Sequence, residues 1–263
     1  MSIPHILSVY WGGNNLSWLR YMTVTSFLKY NPGWKVYLYI PSKPYKGNIT
    51  WDTREQSNPY KSECWLHKLK ELCEVIEINM EDYGWTNNVP EVLKSDFIRN
   101  KVITDKGGLW SDMDIIYCKP LTKEFMEADI IHCHQKGSHY IGFIAGTKGN
   151  KYHEELFNMI SKHGKGNRRY QGIGSFFLNK YSVSQDLKEK YKIFNIPMSY
   201  VYAIPWNKLP TFDDVKYQLP KESIGIHWFG GSPVSTQWEN YIVENSIKND
   251  NRLLCRLLRE VLK

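Results

Sequence analysis

What this chain of 263 residues lacks narrows the field first. No uninterrupted apolar stretch approaches the roughly 20 residues that span a bilayer, and the Met1 to Tyr10 segment has no basic leader followed by an apolar run. A soluble protein of the cytoplasm, with room for peripheral contact at a membrane surface, is the expectation. The five cysteines (Cys64, Cys73, Cys118, Cys133 and Cys255) are odd in number and scattered, without the paired spacing of a zinc ribbon or a secreted disulfide framework, so reduced thiols are expected. No Gly-x-Gly-x-x-Gly follows the first apolar run, and Gly146-Thr147-Lys148-Gly149 lacks the spacing of a phosphate-binding Walker loop. Nicotinamide dehydrogenases and nucleotide hydrolases both lose support.

What is present is a globular composition. Hydrophobic residues make up 42% and aromatics 14%, enough for a sizeable core. The length favours one α/β domain over residues 1–263 with a smaller helical elaboration rather than two equal domains. The formal charge of +7 favours a polyanionic partner or simply a soluble basic surface, and charge alone does not choose between them.

Ile3 to Tyr10 reads as a buried strand feeding the turn Trp11-Gly12-Gly13. Asn14 or Asn15 can cap the next helix, which Asn31-Pro32-Gly33 closes, and Trp34 to Ile40 alternates as a strand does. Ser42 to Ser62 reads as a polar surface loop, followed by a helix over Glu63 to Leu72 and a strand at Val75 to Ile78. Pro90 opens a helix through Val92, Leu93, Phe97, Ile98, Val102 and Ile103 that stops at Gly107-Gly108. Further strands are expected at Ile115 to Tyr117, Ala128 to His132 and Tyr140 to Ala145. Asn150 caps a helix through Ile160, and Leu253 to Leu262 repeats apolar residues at helical spacing. Alternation of this kind predicts a mostly parallel sheet covered by helices on both faces.

Asp112-Met113-Asp114 sits just after the Gly-Gly stop. Two aspartates one residue apart point the same way and can offer oxygens to one hard cation. A cation so held can bridge the phosphates of a nucleoside diphosphate and offset charge on a departing group. Alone, the spacing is weak, because Asp-x-Asp is usually a solvated turn. A calcium-binding EF-hand loop is excluded, since Ile116 and Tyr117 stand where a third oxygen ligand and a glycine are required.

The flanks change the weight of the motif. The run Lys94-Ser95-Asp96-Phe97-Ile98-Arg99, then Lys106-Gly107-Gly108-Leu109-Trp110-Ser111-Asp112-Met113-Asp114, resembles the DXD sugar-transferase family that includes the large glucosylating bacterial toxins and the yeast-type initiating mannosyltransferases. Ile3 to Gly13 is similar to that family's first strand, and Ile141 to Ala145 to the strand after the acidic pair. Gly172-Ile173-Gly174-Ser175 resembles its Gly-Pro loop with the proline missing, and Ile226 to Ser232 its C-terminal His-containing strand.

The resemblance implies a GT-A-like fold with a nucleotide-binding half over 1–120 and an acceptor-side half over 121–263. It implies transfer of a sugar from a UDP- or GDP-sugar to an acceptor hydroxyl with retention of configuration, assisted by Mn2+ or Mg2+. By that resemblance Asp114 binds the metal, and Asp112 contacts the ribose and reaches the ion directly or through water. Asp96 and Arg99 face the donor sugar, the alternative being an ion pair on a helix surface. Trp11 stacks on the nucleobase, or is a plain core tryptophan, and Gly12 and Gly13 let the backbone approach the nucleotide. His227 supplies a third ligand or a hydrogen bond to the leaving phosphate, or is a core histidine. Trp228, Ser232 and Trp238 are near enough in sequence to close over the diphosphate.

The acceptor stays open between a glycan or lipid-linked glycan and modified DNA; for DNA, Arg168, Arg169, Arg252, Arg256, Arg259 and Lys263 would supply a basic face, whose alternative is an ordinary solvated helix. A zinc site at His132-Cys133-His134 is disfavoured, because strand alternation sends Cys133 to the opposite face. Outside the transferases, ten tryptophans and eighteen tyrosines would also suit a carbohydrate-binding protein without turnover.

Overall fold

The computed structural model describes residues 2–13, 15–46, 62–164, 172–180 and 183–263. The chain opens with β1 (Ile6–Tyr10), α1 (Trp18–Tyr30) and β2 (Lys35–Pro41), followed by α2 (Leu66–Leu72), β3 (Glu74–Ile78), α3 (Glu91–Lys106) and β4 (Gly108–Ser111). Then come β5 (Ile115–Tyr117), α4 (Lys123–Glu127), β6 (Ile130–Gln135), β7 (Ser138–Gly146) and α5 (Lys151–His163). The rest comprises α6 (Ser175–Lys180), α7 (Gln185–Lys190), β8 (Ile193–Asn195), β9 (Gly225–His227), α8 (Trp238–Tyr241) and α9 (Leu253–Leu262).

Seven strands form one sheet in the order β3-β2-β1-β4-β7-β6-β8. The pairings of β1 with β2 and β4, of β2 with β3 and of β6 with β8 are parallel, whereas β7 runs antiparallel to both β4 and β6. The mostly parallel sheet expected from the alternation is therefore present, with one reversed strand. Side-chain alternation divides the core between its two faces. Leu7, Val9, Val36, Leu38, Leu109 and Phe143 pack with Val24 and Phe27 of α1. Tyr37, Tyr39, Trp110 and Ile144 pack with Leu93, Phe97 and Ile103 of α3 and Ile160 of α5.

Two details correct the sequence reading. Ser17, not Asn14 or Asn15, caps α1: its hydroxyl accepts from the Arg20 amide at 3.2 Å, and Asn14 lies outside the described residues. Residues 108–111, read only as the end of a turn, form β4 in the middle of the sheet. Most of the loop assigned to Ser42 to Ser62 also lies outside the described residues.

The basic face takes a different form in the fold. Arg252 is tied to Asp250 at 2.5 Å, Arg256 donates to the Tyr217 carbonyl, and Arg259 donates to the carbonyls of Ile247 and Asp250. These guanidinium groups donate to the chain's own oxygens, which gives no support to α9 as a DNA-facing surface; Arg168 and Arg169 lie outside the described residues. The apolar side of α9 is equally occupied, with Leu254, Leu258 and Val261 buried beside α1 residues Trp18, Leu19 and Met22. Among the described residues no helix is long and apolar enough to cross a membrane.

Candidate active site

The acidic motif owes its position to a backbone device. Gly107 and Gly108 both have positive φ, 68° and 94°, and a Cβ at either would lie 2.6 Å from backbone atoms, the Lys148 nitrogen and the Ile6 oxygen respectively. Only glycine accepts both the conformation and the crowding. The chain thus leaves α3 and turns at once into β4, which places Asp112 against the helix it has just left.

Arg99 of α3 meets it there, with Nη2 donating to Asp112 Oδ1 at 2.9 Å. The Trp110 indole also donates to that oxygen, at 2.8 Å, and its ring stacks under the Arg99 guanidinium at 5.2 Å. The Asp112 amide continues the ladder to β7 by donating to the Gly142 carbonyl at 2.7 Å. One turn back on α3, Asp96 Oδ1 pairs with Arg99 Nη1 at 3.3 Å, and both side chains are buried, which eliminates the surface ion-pair alternative.

The third member arrives from far along the sequence. β9 pairs antiparallel with β5, setting His227 opposite Ile115. His227 Nε2 then lies 3.1 Å from Asp114 Oδ1 and 3.8 Å from Asp112 Oδ2. Beyond it, Phe229 adopts a left-handed φ of 52°, a conformation bulky residues seldom hold. That kink aims two amides at the site: Phe229 N donates to His227 Nδ1 at 3.2 Å, and Gly230 N donates to Asp114 Oδ2 at 2.7 Å.

The electrostatics follow from this packing. Burial alone would raise the Asp112 carboxyl, but Arg99 and His227 hold it well below the usual carboxylate range. Burial disfavours a charged imidazole at His227, yet Asp114 and then Asp112 push it up to about 9. Burial pushes the Asp96 carboxyl up to about 7, against the pull of Arg99.

The three residues fit a divalent cation. One ligand atom from each of Asp112, Asp114 and His227 lies within 4.8 Å of the others, and theirs is the single such cluster among the described residues. Asp114 Oδ1 is buried and lies 3.1 Å from His227 Nε2, a contact that a cation shared by the two residues would replace. Gly142 leaves the space beside them open, since a Cβ there would come within 2.8 Å of Asp112 Oδ2 and 2.9 Å of His227 Nε2. Two carboxylates and one imidazole suit Mn2+ and, with more emphasis on oxygen, Mg2+. For His227 to bind through Nε2, its proton must sit on Nδ1, and the Phe229 amide must then turn away.

The remaining sequence-predicted residues divide. Trp11 is buried, with Arg20 over its ring at 5.0 Å, and a Cβ on Gly13 would strike its indole. A Cβ on Gly12 would collide with the Glu91 carboxylate. Trp228 is fully buried, its amide donating to the Asp114 carbonyl at 2.9 Å. Ser232 makes a local turn, its hydroxyl accepting from the Val234 amide, while Trp238 is buried against Phe212. Cys133 is buried in the core, while His134 stacks on His139 at 4.2 Å, so no ligand set forms there.

Three contributors had no assigned role in the sequence reading. Trp110 was visible only as an aromatic before the acidic pair, Gly142 only as part of a strand, and Tyr202, whose ring lies 5.3 Å from that of His227, carried no signal.

No protein-family model and no curated protein matches the sequence. Solved structures do. The glycosyltransferase GlyE of Streptococcus pneumoniae TIGR4 superposes with a TM-score of 0.50 at 13% identity over 99% of this chain, which spans 61% of the GlyE chain. The PaToxG glycosyltransferase gives a TM-score of 0.48 at 16% identity over 68% of this chain and 67% of its own. The galactosyltransferase LgtC, solved with donor and acceptor sugar analogues, gives 0.46 at 12% identity over 97% and 94% of the two chains. At such identities the likeness to GlyE establishes the architecture: the chain has a GT-A-like glycosyltransferase fold.

Proposed function

We propose that this chain is a metal-dependent retaining glycosyltransferase that moves a hexosyl or pentosyl group from a UDP- or GDP-sugar to a hydroxyl of a glycan or lipid-linked glycan. The observation that carries this reading is the convergence of Asp112, Asp114 and His227 on one point, backed by the buried Arg99 and Asp96. Asp112, Asp114 and His227 would hold Mn2+ or Mg2+, which supplies electrophilic assistance to the leaving diphosphate. Arg99 and Trp110 fix the Asp112 carboxylate in one orientation, so that little reorganisation accompanies binding. Asp96 Oδ2, buried and without a hydrogen-bond partner, is free to engage a sugar hydroxyl, and the inward guanidinium of Arg99 adds a second contact to the same ring. The acceptor hydroxyl would attack the face from which the diphosphate departs, passing its proton to a leaving phosphate oxygen, so no enzymic nucleophile is required. Trp11, Gly12 and Gly13 mark the nucleotide side of the site, at the carboxyl end of β1 where open α/β sheets take their ligands.

The test is release of nucleoside diphosphate from a panel of UDP- and GDP-sugars with Mn2+. Chelation, or Asp112→Asn combined with Asp114→Asn, is expected to reduce release at least about a thousandfold. Turnover that survives both treatments rules out the metal mechanism. Glycan binding without turnover, insensitive to metal and to Asp114→Asn, would make the chain a carbohydrate-binding protein instead.

A further inference from the structure

Several of the buried phenols have a partner. Tyr117 donates to Ser111 Oγ at 2.8 Å, and the Tyr200 hydroxyl lies 3.0 Å from that of Thr122. Tyr202 is 2% exposed and its hydroxyl, like that of Tyr39 on the other face of the sheet, has no hydrogen-bond partner; of the two, it is Tyr202 that packs against a candidate metal ligand. Its place in the fold is set by the strand that brings in the third ligand, because the His227 amide donates to the carbonyl of neighbouring Val201 at 2.7 Å. Its ring is held on three sides, with centroids 5.3 Å from His227, 5.2 Å from Tyr140 and 6.5 Å from Phe229. A ring so firmly packed, carrying a donor that no protein atom uses, is a pre-oriented binding group.

We propose that Tyr202 is a ligand-binding residue of this site, its hydroxyl donating a hydrogen bond to an anionic oxygen of the nucleoside diphosphate gathered by Asp112, Asp114 and His227. The inference rests on the nucleotide-sugar reading given above. Two opposite effects of Tyr202→Phe follow. Removing an unpaired buried hydroxyl costs the free protein nothing, whereas removing a hydrogen bond to a charged oxygen weakens binding.

The experiment compares the unsubstituted chain, Tyr202→Phe and, as a control within the same ring stack, Tyr140→Phe. Three quantities are read: the melting temperature without ligand, Mn2+ binding by electron paramagnetic resonance, and calorimetric binding of UDP and GDP at saturating Mn2+. For Tyr202→Phe the expected result is a melting temperature no lower than that of the unsubstituted chain, unchanged Mn2+ affinity, and affinity for UDP or GDP weaker by about tenfold or more. Tyr140→Phe is expected to keep nucleotide affinity. Undiminished nucleotide affinity in Tyr202→Phe overturns the proposal. So does weakened Mn2+ binding, which would make Tyr202 a support for the metal ligands, or a marked fall in melting temperature, which would give the hydroxyl a structural partner. If the unsubstituted chain binds neither nucleotide with Mn2+, the nucleotide-sugar reading fails and this proposal with it; equal binding by both chains removes the proposal alone.

Discussion

Asp96 is where a single residue makes the stability of the molecule depend on pH. Its carboxyl is pushed up to about 7 by burial, from an ordinary value of 3.8. Between those two values the folded protein keeps a proton that the unfolded chain has released, so stability falls as pH rises through that window and levels off above it. Asn at this position has no such titration. The melting temperature of Asp96→Asn relative to the unsubstituted chain is therefore expected to rise between about pH 4 and pH 7 and then to hold steady. A difference that stayed constant from acid to neutral would show that Asp96 ionises normally. The same carboxyl is expected to contact the donor sugar, so the substitution trades activity for stability, as residues held unsatisfied for a ligand commonly do.

At the scale of elements, the site depends on a joint between α1 and the segment after β9. Arg20 of α1 forms a two-pronged ion pair with Glu239 of α8, at 2.8 to 3.1 Å, and its guanidinium lies between the rings of Trp11 and Trp228. Both side chains are buried, so removing one partner leaves an uncompensated charge. Glu239→Ala is expected to cost about 3 kcal/mol or more in urea denaturation, and the double replacement Arg20→Met with Glu239→Leu appreciably less. Equal losses would mean that the pair itself, rather than its desolvation, matters most. This joint was invisible in the sequence, as was Tyr202, because both exist only through contacts between distant segments. β1, α1, β2, α3 and α5 were legible because periodic apolar residues between glycine, proline or asparagine boundaries dictate them locally. β4 was missed because four residues between a turn and an acidic motif are too few for any periodicity. Of the site, Asp112 and Asp114 were legible through the helix and Gly-Gly turn before them, and His227 through its resemblance to a later strand; the ring and main-chain contacts that fix all three were not.

At the scale of the whole molecule, a charge of +7 invites a reading that the folded arrangement of α9 does not support. The arginines there are fastened to carbonyls and carboxylates of the neighbouring turns, so they act as internal ties. Arg259→Ala is accordingly expected to lower unfolding free energy by about 1–3 kcal/mol while leaving the salt concentration of elution from a heparin column nearly unchanged. A large change in elution with unaltered stability would restore the idea of a nucleic-acid surface. The Gly107-Gly108 turn has a different kind of consequence. Because Arg99 and Asp112 face each other across a direct reversal of the chain, even one residue inserted between them would rotate or displace one partner away from the other. Between Asp114 and His227 the pieces that line the site, β7 with Gly142 and the Val201–Tyr202 segment, are held by main-chain pairing, and the connections between them are free of that constraint. Proteins sharing this site should therefore keep the distance from Asp96 to Asp114 to the residue while varying widely between Asp114 and the histidine, and that uneven pattern of length variation can be used to find them.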